Sequence, residues 1–380
     1  MVQSFFVYGI MLLSMIILGI NSSNHQVYNI KIKSSFWGKN TIGIILIFSI
    51  ISGLRYDVGV DYLGYLSLYQ DTLNYKYIDH PEVETGFLWI LNQFANIKAH
   101  YFWVFGFFAF IQIFFIYYAF KNERYLYPFL PFILLTSGIY FTLMNEIRQS
   151  IDCTILIYAI HFAKKEKAIQ YALLTFLALL FHQSALLLIP LFFFISSNKD
   201  FFNKIWLQIL LLLSAMLLSS SNSWNYLMKQ ILLAINLLNY SEKYGNIDII
   251  SRISIWQHEY EQGFRYYGTA IIFIAIIIYS KKMKAYFTAN TFIKYYNLFF
   301  IGVLLYFITY QNTLMQRPAR YFTSMQFVIS SYFLFYLWKY RRKSYLNLAT
   351  LIIIILVHLG IFIAFVASDH HTYYQFFWER

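Results

Sequence analysis

The sequence predicts an all-α fold, a polytopic transmembrane helix bundle of about 12 spans. Three observations predict it: the composition, the recurrence of apolar runs near the length that crosses a bilayer, and the distribution of lysine between them. Hydrophobic residues make up 59% of the 380-residue chain and charged residues 12%, against ~25% charged in ordinary soluble domains. One soluble core cannot bury 40 Phe and 35 Tyr side chains; lipid tails can surround them, and Tyr and Trp suit both membrane interfaces.

A bilayer core takes about 20 helical residues to cross. Runs near that length cover 4–20, 101–120, 125–144, 205–220, 264–280, 292–310, 319–338 and 348–367, with shorter ones at 41–54, 149–163, 168–181 and 185–197. No soluble domain or repeat interrupts them, so residues 1–380 read as one integral membrane domain, and the first run as a retained span. When twelve spans are threaded, alternate loops collect 15 of the 19 lysines, which marks that side as cytoplasmic and sends both termini outward. Two external loops are long, 55–100 and 221–263. The second opens with Trp224, Leu227, Ile231 and Ile235 at one-face spacing, an amphipathic surface helix.

The formal net charge is +12. Its lysines and arginines sit in short loops, with no glycine-rich basic module, so no nucleic-acid partner is expected; membrane lipid is. The single cysteine, Cys153, excludes an intrachain disulfide and argues against a cysteine metal site. Walker A, GxGxxG and HExxH patterns are absent, and no cofactor or metal is expected.

Arginine departs from the lysine pattern. Arg55, Arg148, Arg252, Arg265, Arg317, Arg320 and Arg380 fall on the outer side, where the topological bias would exclude them. A guanidinium carries a donor fork that grips phosphate or carboxylate with two bonds. In Arg317-Pro318-Ala319-Arg320-Tyr321, Pro318 suits the first turn of a helix over 319–338, and the helix N-terminus would add N–H groups to a phosphate site. Two snorkelling arginines are the plainer alternative. In Asn145-Glu146-Ile147-Arg148-Gln149-Ser150, Arg148 stands four residues before Asp152; a local ion pair or a functional arginine both fit.

Phe181-His182-Gln183-Ser184 lies in the middle of 168–197, too long for one helix and flanked by lysines. The chain must turn back there, and half-spans of this size reach only ~20 Å. His182 then lies inside the protein, as a core histidine or a proton acceptor. In the loop after the second span, Asp57, Asp61, Glu82 and Glu84 are candidate bases or sugar ligands, and Tyr56, Tyr62 and Tyr65 could stack on sugar rings. A solvated acidic loop balancing Arg55 is the alternative.

The ordered set GLRYDVGVDYLGY, ETGF, NEIRQS, FHQSALLLIP and QRPARYF resembles the EpsG family of Wzy-like polysaccharide polymerases, over roughly residues 50–335. The resemblance implies a GT-C-like, lipid-carrier-dependent glycosyltransferase of the bacterial inner or plasma membrane, with its active side extracytoplasmic. Its expected activity moves a growing glycan from polyprenyl diphosphate onto a sugar hydroxyl of the next lipid-linked repeat unit. A chain-length regulator and a flippase of the same pathway are the implied partners. The family's motifs fall on Arg148 and Gln149, on His182, on Arg317, Arg320 and Tyr321, and on Arg55, Gly59 and Asp61.

Together, these readings assign Arg148, Arg317, Arg320 and Arg55 to the diphosphate. His182, Asp61 or Glu84 are candidates to take the acceptor's proton, and Gln149, Tyr321 and Tyr62 to touch substrate. A flippase or transporter of the same oligosaccharide, a membrane O-acetyltransferase and a non-catalytic assembly partner are the rival readings. A flippase should carry charge across its spans, whereas here charge gathers on one side.

Overall fold

The computed structural model describes residues 1–27, 35–74, 83–219, 221, 224, 226–227, 230, 263–311 and 313–379. Glu82, Arg252 and most of the predicted amphipathic helix in 221–263 lie outside the described residues. The fold is all-α. Among the described residues the only strands are Arg55–Tyr56 and Gln375–Phe376, an antiparallel pair with Arg55 opposite Phe376.

By length and composition, four described helices can cross a bilayer: Val2–Ser23, Tyr101–Ala119, Asn290–Ile308 and Tyr345–Ser368. Lys39–Leu54, Gln183–Ser196 and Ile205–Ser219 are shorter apolar stretches. Their outward faces are as apolar as their inward ones. On Tyr345–Ser368, Ile352, Ile353, Leu356 and Ile363 are exposed while Leu351, Ile354 and Ile361 are buried. A helix that is apolar all round needs an apolar surrounding, which makes this a membrane protein.

Two predicted spans are broken. The run 125–144 forms Phe129–Thr136 and Ile139–Asn145, separated at Ser137 and Gly138, where Gly138 takes φ +82°. The run 319–338 forms Thr313–Thr323 and Met325–Tyr340.

The chain divides into two compact units. The first comprises Met1–Asn198, Phe264–Ile272 and Phe327–Arg380; the second comprises Lys199–Gly263 and Phe273–Gln326. In the first, Lys39–Leu54 packs along Tyr101–Ala119, and Ile147–Ala159 packs on the same helix. Gln112 spends its amide there on the carbonyl of Leu143, at 3.0 Å. The C-terminal segment ties back to the N-terminal helix: Tyr8 donates to the carbonyl of Thr372 at 2.8 Å, and the Tyr374 N–H to Ser4 Oγ at 2.9 Å. In the second unit, Asn290–Ile308 packs against Ile205–Ser219 and Thr313–Thr323. Polar pairs hold it: the buried Tyr296 to Gln208 at 2.6 Å and the part-buried Lys284 to Asp200 at 2.7 Å.

Candidate active site

Helix Lys39–Leu54 ends at Arg55, whose backbone turns extended (φ −66°, ψ 148°). The Arg55 side chain is 1% exposed. It donates to the carbonyl of Ser52 and, at 3.1 Å, to that of Met144, and its guanidinium lies over Tyr62 and Phe105, 5.5 and 5.1 Å from the ring centres. This arginine knits the end of one helix to the end of another. Buried on two carbonyls, it serves as a tie inside the fold, with its Nε–H left without a hydrogen-bond partner. Tyr62 packs beside it. It is fully buried, donates to the Arg55 carbonyl at 3.0 Å and stacks on Phe105 at 4.7 Å, which leaves no open ring face for a sugar.

Beyond Arg55 the chain makes a tight turn. Gly59 takes φ +99°, a conformation that glycine adopts without steric cost, and its N–H donates to the carbonyl of His371 at 2.9 Å. The turn rests on Asn145, whose Oδ1 accepts the Asp61 N–H at 2.8 Å. Asp61 precedes helix Tyr62–Leu73, and its side chain makes no capping bond to it. The Gly-x-Asp segment and the Asn-Glu-Ile-Arg-Gln segment are thereby docked on each other.

The ETGF segment joins two further motifs. Glu84 Oε2 lies 2.6 Å from Arg148 Nη1, and Glu84 Oε1 accepts the Gln183 N–H at 3.0 Å. The Glu84 side chain is 7% exposed and that of Arg148 23%. Two residues on, a Cβ added to Gly86 would fall 2.5 Å from Leu180 Cβ and 2.6 Å from its carbonyl oxygen. The Phe87 N–H donates to that same oxygen at 3.2 Å. Glycine is what lets the start of helix Thr85–Asn96 lie against the turn at 180–183. Arg148 also hydrogen-bonds the Tyr65 hydroxyl, which feels the Asp61 charge as well. The Arg148 Nε–H is buried and has no hydrogen-bond partner. The local pair with Asp152 suggested by their spacing gives way to a partner in another loop. Asp152 itself is fully buried on helix Ile147–Ala159.

The chain does reverse at His182. Ala168–Leu179 runs in, a 3-10 turn follows over Gln183–Leu187, and Leu188–Ser196 runs out. Tyr171 ties the limbs, donating to the Leu188 carbonyl at 2.9 Å with its ring 5.1 Å from Phe192. His182 caps the 3-10 turn: its Nδ1 accepts the Ser184 N–H at 3.2 Å and sits 2.6 Å from Ser184 Oγ. An accepting Nδ1 places the ring proton on Nε2, so the ring offers a donor there.

The remaining candidates sit differently. Gln149 is 4% exposed, on the packed side of its helix. Arg317, Arg320 and Tyr321 belong to the second unit, on helix Thr313–Thr323. Pro318 lies inside that helix, not in its first turn, so the expected phosphate site at a helix N-terminus is not at Arg317. Arg320 Nη2 is 3.4 Å from Gln316 Oε1, and the Gln316 amide donates to the carbonyls of Thr309 and Tyr310 at 3.3 and 3.0 Å. Arg317 and Arg320 are half-buried, while Tyr321 is fully buried. Sequence reasoning passed over Asn145, Gly86 and Ser184 as working residues. Their signal was their position inside the short motifs, next to the residues it did choose.

Long apolar helices define a polytopic membrane protein, and within its first unit the segments bearing Asp61, Glu84, Arg148 and His182 are docked on one another. The chain belongs to the EpsG family, whose family model matches residues 41–378, nearly its whole length; members are Wzy-like polysaccharide polymerases. Among curated proteins and among solved structures, none matches the chain.

Proposed function

We propose that this chain extends a polysaccharide at the extracytoplasmic face of a bacterial plasma membrane, which it crosses about twelve times in the manner of GT-C-like enzymes. The donor is a growing glycan on polyprenyl diphosphate; the acceptor is a sugar hydroxyl of the next lipid-linked repeat unit. The carrying observation is the cluster in the first unit: Arg148 held between Glu84 and Tyr65, against the turn that bears His182.

The reaction breaks the bond between the anomeric carbon and a diphosphate oxygen. The electron pair leaves with polyprenyl diphosphate, the acceptor oxygen bonds to the anomeric carbon, and its proton must go to a base. Charge therefore builds on the diphosphate as the bond breaks, and a prepositioned cation stabilises it most at that moment. Arg148 fits this need. Its side chain keeps 23% exposure beside the turn that bears His182, so part of the guanidinium is open to a ligand. Glu84 already neutralises much of Arg148; Arg317 and Arg320, on helix Thr313–Thr323 of the second unit, are assigned to the diphosphate from their motif alone.

Among the three candidate bases, Glu84 is committed to Arg148 and the Gln183 N–H, which makes it a positioning residue. His182 presents Nε2–H, the form that hydrogen-bonds a phosphate oxygen. Asp61, held by Asn145 near Tyr65, is assigned the acceptor's proton. The test is purified protein with synthetic polyprenyl-diphosphate repeat unit in detergent. A ladder of longer glycans without nucleotide sugar is expected. Unchanged substrate, moved across liposomes instead, would contradict the reading in favour of a flippase.

A further inference from the structure

The C-terminal turn after helix Tyr345–Ser368 brings together three groups the polymerase chemistry does not use. Asp369, His370 and His371 each offer one ligand atom, and these atoms all lie within 4.8 Å of one another. We propose that this turn binds a borderline divalent transition-metal ion, with zinc the best fitted.

The donor set argues for that class. Two imidazoles and one carboxylate suit zinc, nickel or copper, whereas magnesium and calcium favour all-oxygen shells. Bonds of ~2.0–2.2 Å in a tetrahedral shell put ligand atoms roughly 3.4 Å apart. The His370 ring is exposed and can turn to close the remaining gap. Three protein ligands leave one position for water.

The turn is built independently of any ion. Asp369 Oδ1 accepts the His371 N–H at 2.9 Å, and the Asp369 carbonyl accepts from the Thr372 N–H and Oγ1 at 3.0 and 2.6 Å. The Thr372 carbonyl is held in turn by Tyr8 at 2.8 Å. A scaffold fixed this way limits the entropy lost when three ligands converge on one ion. The site is also coupled to the candidate active site, because the His371 carbonyl holds the Gly59 N–H, two residues before Asp61. An ion at the turn would stiffen that loop.

The experiment is calorimetric titration of zinc into the tag-free, full-length protein in nanodiscs. One saturable site is expected, weakened at least about tenfold by His370→Ala and by His371→Ala. Cobalt provides a second readout: it should give a visible absorption band in the wild type that His370→Ala removes. Because His370 is exposed, circular dichroism of this variant should match the wild type. Hydrogen exchange at the Gly59 amide should slow on adding zinc. No saturable zinc binding, or an isotherm unchanged in the Asp369→Asn/His370→Ala double variant, would overturn the proposal.

Discussion

The Glu84 carboxylate meets Arg148 at 2.6 Å across 64 residues of chain, and its other oxygen holds the Gln183 backbone at 3.0 Å. One side chain thus fixes both a cation and the turn beside a histidine. Removing it leaves a largely buried charge without its partner, a loss that costs more than the pair contributes. Glu84→Ala should lower unfolding stability in detergent by about 1–3 kcal/mol and abolish polymer. Glu84→Gln keeps an acceptor for the Gln183 N–H but not the counter-charge, so it should lose less stability than Glu84→Ala while losing most of the activity. Equal stability losses for the two variants would count against this division.

Gly86 sits where a side chain cannot. A Cβ there meets Leu180 at its Cβ and at its carbonyl oxygen. Gly86→Ala should displace the turn at 180–183 and remove polymer at near-normal protein abundance, with strain of about 1–3 kcal/mol. Leu180→Gly removes the Cβ contact but should not rescue it, because the backbone oxygen remains in the way. Rescue would show that the side chain alone was the obstacle.

Arg55 and Arg148 make a paired test of structure against chemistry. Arg55 is buried on two backbone carbonyls, a geometry that a lysine ammonium on its flexible stem does not reproduce. Arg55→Lys should reduce the amount of folded protein, with activity per folded molecule largely kept. Arg148→Lys should do the reverse. Quantifying polymer per molecule of purified protein separates the two.

Arg317 and Arg320 stand three apart on one helix and are half-buried. Arg317→Ala and Arg320→Ala should each abolish polymer while abundance stays unchanged. Polymer of near-normal length from either variant would remove that residue from the diphosphate assignment.

The helices were largely legible in the sequence, because apolar runs of spanning length have few other uses. What the runs did not reveal was where a helix breaks inside them. Gly138 interrupts 125–144 without changing its hydropathy, and Pro318, which by type suits a helix start, lies within a helix that begins at Thr313. A proline costs an interior helix a hydrogen bond, yet here the Gln316 amide ties the same helix to the carbonyls of Thr309 and Tyr310.

The site was legible as a set of motifs but not as a set of contacts. The reversal at His182 followed from length and the flanking lysines. That Arg148 pairs with Glu84 instead of Asp152 could not follow, since four-residue spacing advertises the local pair and nothing local advertises the distant one. The contacts of Arg55 and Tyr62 were hidden in the same way. Their chemistry suits a ligand, and only packing shows that each spends it on the other and on backbone carbonyls.

Binding of polyprenyl diphosphate to the wild type and to Arg148→Lys, measured in nanodiscs at matched folded concentration, bears most directly on the role of Arg148. Loss of the guanidinium fork should weaken binding at least about tenfold, the equivalent of ~1.4 kcal/mol. Equal affinities would contradict the account, leaving Arg148 a partner of Glu84 and nothing more.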